Sequence, residues 1–289
     1  MQSNNPIFRR SEEFNRGGAN LYGNQTYAGN GAPMGGYGQT DPSQWSVGTP
    51  GDTGRAPATT GPMTIDSVVQ KTAITIGVVI LAAMATWILT PDVTDESVAA
   101  DLGPLFAAVT IGSLGAFALS LVNSFKRNVS PALVIAFAGL EGVALGAISK
   151  IFNLAYPGVV TGAVIGTFGA FAGTLAAYKI LNIKVGDKFR RGVIAAVFGM
   201  VGISLMSLVL NLFGIDLGIY GNGGLGVLFS LAGLVLGIFM LILDFDFVEQ
   251  GIANRIPEVE SWRAAFAMTV SLVWIYTNLL RLLAIFSDN

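Results

Sequence analysis

Seven long apolar runs follow residue 66, and each has close to the 20 or so residues that a membrane-spanning helix needs. Short polar or charged stretches separate the runs, and Pro91 ends the first of them. This pattern predicts an all-α protein built as a bundle of seven transmembrane helices. The predicted helices, numbered 1 to 7, are Val68–Leu89, Leu105–Val122, Pro131–Phe152, Gly158–Tyr178, Gly192–Phe213, Gly223–Leu243 and Ala264–Phe286.

Residues 1–62 differ in composition from the rest, with 12 Gly and 6 Pro and much Asn, Gln, Thr and Tyr. Such a segment buries too little apolar area to offset the entropy lost when its backbone is ordered. We therefore expect two parts: a disordered tail over residues 1–62 and a seven-helix membrane domain over residues 63–289. No apolar segment typical of a cleaved signal peptide follows Met1.

The composition limits the kinds of functional site that the protein can contain. Charged residues make up 12% of the chain, about half the usual share in soluble domains, and 52% of the residues are apolar. Cysteine and histidine are both absent, which excludes disulfides, thiolate nucleophiles and Cys/His zinc sites. The net charge of -2 gives no support for nucleic-acid binding. We expect the lipid bilayer as the surroundings and no cofactor.

Lysine and arginine are distributed unevenly among the connections. Of the 16, 14 fall in the tail, at the start of predicted helix 1, or in and around the connections after predicted helices 2, 4 and 6. Because cytoplasmic loops of membrane proteins carry the excess of these residues, the N-terminus is predicted to be cytoplasmic. Seven spans then place the C-terminus outside the cell membrane.

Glycines recur at helical spacing in predicted helices 3, 4 and 6, where small residues let neighbouring membrane helices approach closely. We expect these faces to pack within one chain, and an interface between copies of the chain is the alternative. The glycines are Gly139, Gly142 and Gly146, then Gly162, Gly166, Gly169 and Gly173, then Gly226, Gly233 and Gly237.

Few charged side chains fall within the predicted spans, and each is a functional candidate because charge is costly in hydrocarbon. Glu141 is placed near the middle of the bilayer, and Arg281 in the outer half of predicted helix 7. Asp244 and Asp246 stand at the cytoplasmic end of predicted helix 6. Asp244 continues a glycine face and is expected to point into the bundle. Asp246 is expected to point away, unless the helix has already ended.

Structural interpretations compete with these functional ones. The two aspartates of predicted helix 6 could be interfacial and solvated, and Glu141 could pair with Arg281 or Lys150 for folding alone. No hydrolase motif or nucleotide-binding loop is present, and predicted helix 7 offers no second acid for an intramembrane aspartyl protease. We therefore expect that the protein is not an enzyme.

Three segments in combination resemble the Bax inhibitor-1 family, in particular its bacterial members. They are FAGLEGVALG in predicted helix 3, LILDFDFVEQGI at the end of predicted helix 6 and VWIYTNLLRLLAIF in predicted helix 7. The resemblance covers residues 63–289 and implies a bundle with its last helix near the centre, in a bacterial inner membrane. It also implies a pH-sensitive calcium leak, in which an aspartate ending helix 6 pairs with an acid on helix 7 and gates a pore.

Carried onto this sequence, the resemblance favours Asp246 as the helix 6 acid, with Asp244 as the alternative. Predicted helix 7 departs from the family pattern because it has no acid. Alignment on the preceding tyrosine gives Asn278, whereas alignment on Leu-Leu-Arg gives Ser271. The possible partners on this helix are therefore Asn278, Ser271 and Arg281.

Two functions follow as expectations. In the first, Asp244, Asp246 and Glu141 serve a cation pathway as ion-sensitive and pH-sensing groups, with Ca²⁺ bound transiently at the two aspartates, because hard cations prefer oxygen ligands. In the second, the protein conducts nothing and uses its tail to regulate a membrane-bound protease or a stress response.

Overall fold

Seven helices make up most of the computed structural model, which describes residues 61–91, 98–126 and 129–288, without side chains for residues 98–101. All of these residues fall in the unit Pro57–Asn289. The helices are α1 Ile65–Leu89, α2 Val98–Phe125, α3 Pro131–Ala155, α4 Val159–Ile180, α5 Asp187–Leu212, α6 Gly224–Ala253 and α7 Ser261–Ser287, with a 3₁₀ turn at Glu258–Glu260.

Each helix is long and apolar enough to cross a membrane, which confirms the seven predicted spans. The largest difference lies in α6, which continues past the predicted end at Leu243 to Ala253. The uninterrupted apolar run ends before Asp244, but the polar side chains that follow find partners on neighbouring helices, and the helix therefore continues. The described residues contain no β-strand, only an isolated antiparallel bridge between Pro62 and Pro257.

The last helix, α7, stands at the centre of the bundle. It packs against α1, α3, α4 and α6, whereas α2 packs mainly on α3 and α5 mainly on α6. Its hydroxyl side chains at Ser261, Thr269 and Ser271 are at most 1% exposed. Because polar groups within a membrane need shelter from lipid, their burial fits the central position that the family resemblance implies for this helix.

Close approaches between helices occur at glycines. In α3, any side chain added at Gly142 would overlap Val79 and Ala82 of α1, and one at Gly146 would overlap Ala83. Packing within the chain is thus confirmed for these glycines, and also for the three glycines of α6 and the first two of α4, all of which face α7. Gly226 also meets Gly221 of the α5–α6 connection. The prediction is wrong for those with no neighbour within 4 Å of an added Cβ atom, namely Gly139, Gly169 and Gly173.

The helix ends divide into two groups. We name the basic end the end at which α1, α3, α5 and α7 begin, since the described lysines and arginines of the α4–α5 and α6–α7 connections lie there. The other end carries the α3–α4 and α5–α6 connections and is named the opposite end.

A short pairing that we call the clamp joins residues 61–63 to residues 256–258 at the basic end. The N–H of Met63 donates to the carbonyl of Ile256 at 2.8 Å, and that of Glu258 donates to the carbonyl of Gly61 at 2.9 Å. Pro62 and Pro257 stand opposite each other between these bonds, where neither needs an N–H. Residues 61–62 therefore belong to the membrane domain, and the rest of the predicted disordered tail lies outside the described residues.

Side chains extend the attachment of α1 to the α6–α7 connection. The hydroxyls of Ser67 and Ser261 lie 2.7 Å apart in a buried hydrogen bond. Lys71 forms an ion pair with Glu258 at 2.7 Å. Met63 is only 2% exposed and packs into the main core cluster. The start of α1 is therefore fixed to the connection that leads from α6 to α7.

Candidate functional site

A hydrogen bond joins α6 to the central helix below the basic end. The hydroxyl of Ser271 donates to Oδ2 of Asp244 at 2.6 Å, and Ser271 is 1% exposed. Asp244 lies about 13 Å along the helix from the last residue of α6, at 1.5 Å per residue. Of the two aspartates, Asp244 is thus the one that meets α7, and it points into the bundle as predicted.

Contrary to the prediction, Asp246 does not point away from the bundle. It is 7% exposed, and its Oδ2 accepts hydrogen bonds from Arg190 at 2.8 Å and from Gln250 at 2.7 Å. The orientation drawn from a single helix is wrong because the first turn of α5 covers this side of α6 and brings a guanidinium to it. The resemblance-based preference for Asp246 as the partner of helix 7 is wrong for the same reason.

A third polar contact lies near the basic end, and we call the three contacts Asp244–Ser271, Asp246–Arg190 and Tyr178–Glu249 the polar layer. Tyr178, near the end of α4, donates to Oε2 of Glu249 on α6 at 2.6 Å. Its ring also lies 5.8 Å from that of Phe245. Tyr178, Arg190 and Glu249 are not among the residues that the sequence predicted for this layer. A signal was available for Arg190, because a cation at the same membrane edge is a natural partner for a buried acid. The pairing of Tyr178 with Glu249 depends on the register between α4 and α6, which the sequence of neither helix gives.

Asn278 does not reach the acids of α6. Its side-chain amide donates to the carbonyl of Trp274 at 2.8 Å, and its Oδ1 lies directly against Gly233. The structure therefore decides between the two alignments of helix 7. Ser271 faces the helix 6 acid, and Asn278 occupies a glycine notch nearer the opposite end.

Arg281 holds the α5–α6 connection. Its guanidinium donates to the carbonyl of Ile219 and stands over the ring of Tyr220, 4.8 Å from the ring centre. Lys150 is buried and donates to the carbonyls of Trp87 and Thr90, which end α1. Lone carbonyls at a helix C-terminus are favourable partners for a cation. Neither cation is bonded to Glu141 in the described part of the chain.

Glu141 lies on the buried face of α3, in line with Val134, Phe137 and Leu145, and its side chain is half-buried. No hydrogen bond or ion pair joins it to another described residue. It stands about 15 Å from the first residue of α3, a depth similar to that of Asp244.

The central helix separates these two acids. Phe137, one turn before Glu141, meets Phe266 of α7 edge-on, with ring centres 4.9 Å apart. Ser271, which holds Asp244, lies about 140° further round α7 than Phe266. The three predicted acids therefore do not converge, and the described residues contain no group of three or more carboxylates able to hold a metal ion. The arrangement instead offers single carboxylates at one depth on two sides of α7.

These features define a polytopic helical membrane protein with acids placed around a central last helix. The family model described as Bax inhibitor 1 like matches residues 5–288. The chain belongs to this family, as its three segments indicated. No curated protein matches the chain.

Proposed function

We propose that the protein is a passive, pH-sensitive cation pathway, with calcium as the favoured ion and Asp244 as its principal acid. The observation that carries the proposal is the 2.6 Å bond between Asp244 and Ser271, which joins α6 to the central helix at membrane depth. A carboxylate and a hydroxyl are oxygen ligands of the kind that Ca²⁺ prefers. Protonation of Asp244 would remove the charge that attracts the ion.

The other acids take separate roles in this proposal. Glu141 is a second carboxylate at the same depth on the far side of α7. Asp246 is held by Arg190, so it fixes the first turn of α5 over the end of α6. A Ca²⁺ ion that engaged both Asp244 and Asp246 would have to displace this guanidinium.

The orientation is part of the proposal. The basic end faces the cytoplasm of a bacterial inner membrane, because the positive-inside rule places the lysine-rich and arginine-rich connections there. We further propose that the protein is not an enzyme. Its acids stand apart, whereas paired-carboxylate catalysis needs two that face each other.

Calcium flux into liposomes that contain the purified full-length protein tests the pathway. Asp244→Asn is expected to lower the flux and flatten its dependence on pH between 6 and 8, and Glu141→Gln to lower the flux while leaving that dependence. Asp187→Asn is the matched control, because Asp187 is an exposed acid at the same end. Wild-type flux no greater than that of empty vesicles would rule out conduction.

A second function is favoured by the clamp. The tail joins the membrane domain at Gly61, which is bonded directly to the α6–α7 connection. A membrane-bound protease or another partner that held the tail would therefore act next to α6, which carries Asp244 and Asp246, and next to α7, which carries Ser271. Deletion of residues 2–60 keeps the clamp, and deletion of residues 2–63 removes it. Under this function, the shorter deletion abolishes the partner's response without changing any flux.

A further inference from the structure

A long groove runs between α5 and α6 on the outside of the bundle. Its volume is about 760 Å³, and its walls are apolar. A Cβ atom added at Gly192 or Gly199 would meet nothing within 4 Å, so α5 stands away from α6 along this side. Small and aliphatic residues form the two walls, among them Gly192, Ala196 and Gly199 on α5 and Leu228, Ala232 and Val235 on α6.

The groove lies at the depth of lipid hydrocarbon. From Phe189 to Ile203 it follows α5 for about 21 Å, longer than the roughly 15 Å of one hydrocarbon leaflet. Water does not fill a space without polar partners, since apolar cavities remain dry. A hydrocarbon chain is the occupant that matches both the walls and the depth.

The end of the groove nearest the basic end has a cationic rim. The rings of Phe189 and Phe239 meet there edge-on, with centres 5.4 Å apart. Lys188 is exposed and lies on the same side of α5 as Gly192 and Gly199, four and eleven residues before them. Exposed Lys184 and Arg191 stand nearby in sequence and add to the positive charge. Arg190 is not counted, because Asp246 holds it.

We propose that this groove binds one anionic phospholipid from the leaflet at the basic end. An acyl chain lies between α5 and α6, and the phosphate meets Nζ of Lys188, whose aliphatic stem follows the groove rim. Clusters of basic residues just beyond a membrane helix attract anionic headgroups, at about 1 kcal/mol per residue. The proposal does not depend on whether the protein conducts ions.

Native mass spectrometry of the full-length protein in detergent tests the site, with phosphatidylglycerol and phosphatidylcholine of identical chains as probes. Wild-type protein is expected to retain one phosphatidylglycerol in preference to phosphatidylcholine. Lys188→Gln should weaken phosphatidylglycerol binding about fivefold and leave phosphatidylcholine binding unchanged. Lys126→Gln removes the same charge from an exposed residue just after α2, which packs mainly on α3, and should have no effect.

Variants that fill the groove give a second, independent test of lipid binding. Gly199→Leu adds a side chain to open space and should weaken the binding of both lipids, and Ala232→Leu does the same from the opposite wall. Equal binding of the two lipids by wild-type protein would overturn the proposal, as would equal effects of Lys188→Gln and Lys126→Gln. A dimer that Gly199→Leu dissociates would show that a second copy of the chain occupies the groove, and would also overturn it.

Discussion

Replacement of Ser271 by aspartate should turn the α6–α7 contact into a pair of carboxylates. In the wild-type protein the Ser271 hydroxyl donates to Asp244 at 2.6 Å, so the contact carries at most one negative charge. Two carboxylates about 4 Å apart repel by about 4 kcal/mol at an effective dielectric constant near 20. One pH unit changes the free energy of proton uptake by about 1.4 kcal/mol, so relief of this repulsion spans about three pH units.

The direction of the pH effect on calcium flux depends on which arrangement of α6 and α7 is protonated. At low pH the pair shares a proton and holds α6 against α7. At high pH both carboxylates are charged, so they separate or attract Ca²⁺. Calcium flux through Ser271→Asp should therefore rise between pH 6 and 8 more steeply than flux through the wild-type protein. The measurement is the rate of calcium entry into proteoliposomes at matched protein content across this range.

Two variants serve as controls, one for the addition of an acid to α7 and one for the loss of the Ser271 hydroxyl. Asn278→Asp introduces the same acid on the same helix, but in the notch against Gly233, so it should not steepen the profile. Ser271→Ala removes the hydrogen bond to a carboxylate, worth about 1.5–3 kcal/mol, and should lower stability without steepening the profile. A steeper profile for Asn278→Asp, with Ser271→Asp parallel to wild type, would refute the assignment of Ser271.

Three further results are expected. Cysteines in place of the two clamp prolines should form a disulfide on mild oxidation, because such opposed residues lie about 4.5 Å apart between Cα atoms; an absence of cross-linking on gel shift would contradict the clamp. Gly146→Ala should lower the thermal unfolding temperature at a cost of about 1–3 kcal/mol, since its Cβ overlaps Ala83, whereas Gly139→Ala on the same helix should not. A single cysteine at Asn222 should react with an impermeant thiol reagent in intact cells and one at Gly186 should not; the reverse would invert the proposed orientation.

The sequence was sufficient for the seven helices because hydrocarbon leaves the backbone few alternatives to a helix. It also placed Asp244 correctly, since that residue continues a face already marked by Gly233 and Gly237. It misplaced Asp246, because the orientation of a side chain on one helix does not reveal that α5 covers that side. The choice between Ser271 and Asn278 needed the register between two helices, which no spacing within either helix contains.

The central position of α7 has a consequence for biosynthesis. The helix that fills the middle of the bundle leaves the ribosome after α1, α3, α4 and α6, so these helices must enter the membrane before the segment that they surround exists. Until then the faces around Ser230, Gly233 and Thr72 stand open to lipid or to insertion factors. The centre of the bundle therefore forms only when α7 arrives, and a chain that stops before Ser261 lacks its core rather than an edge.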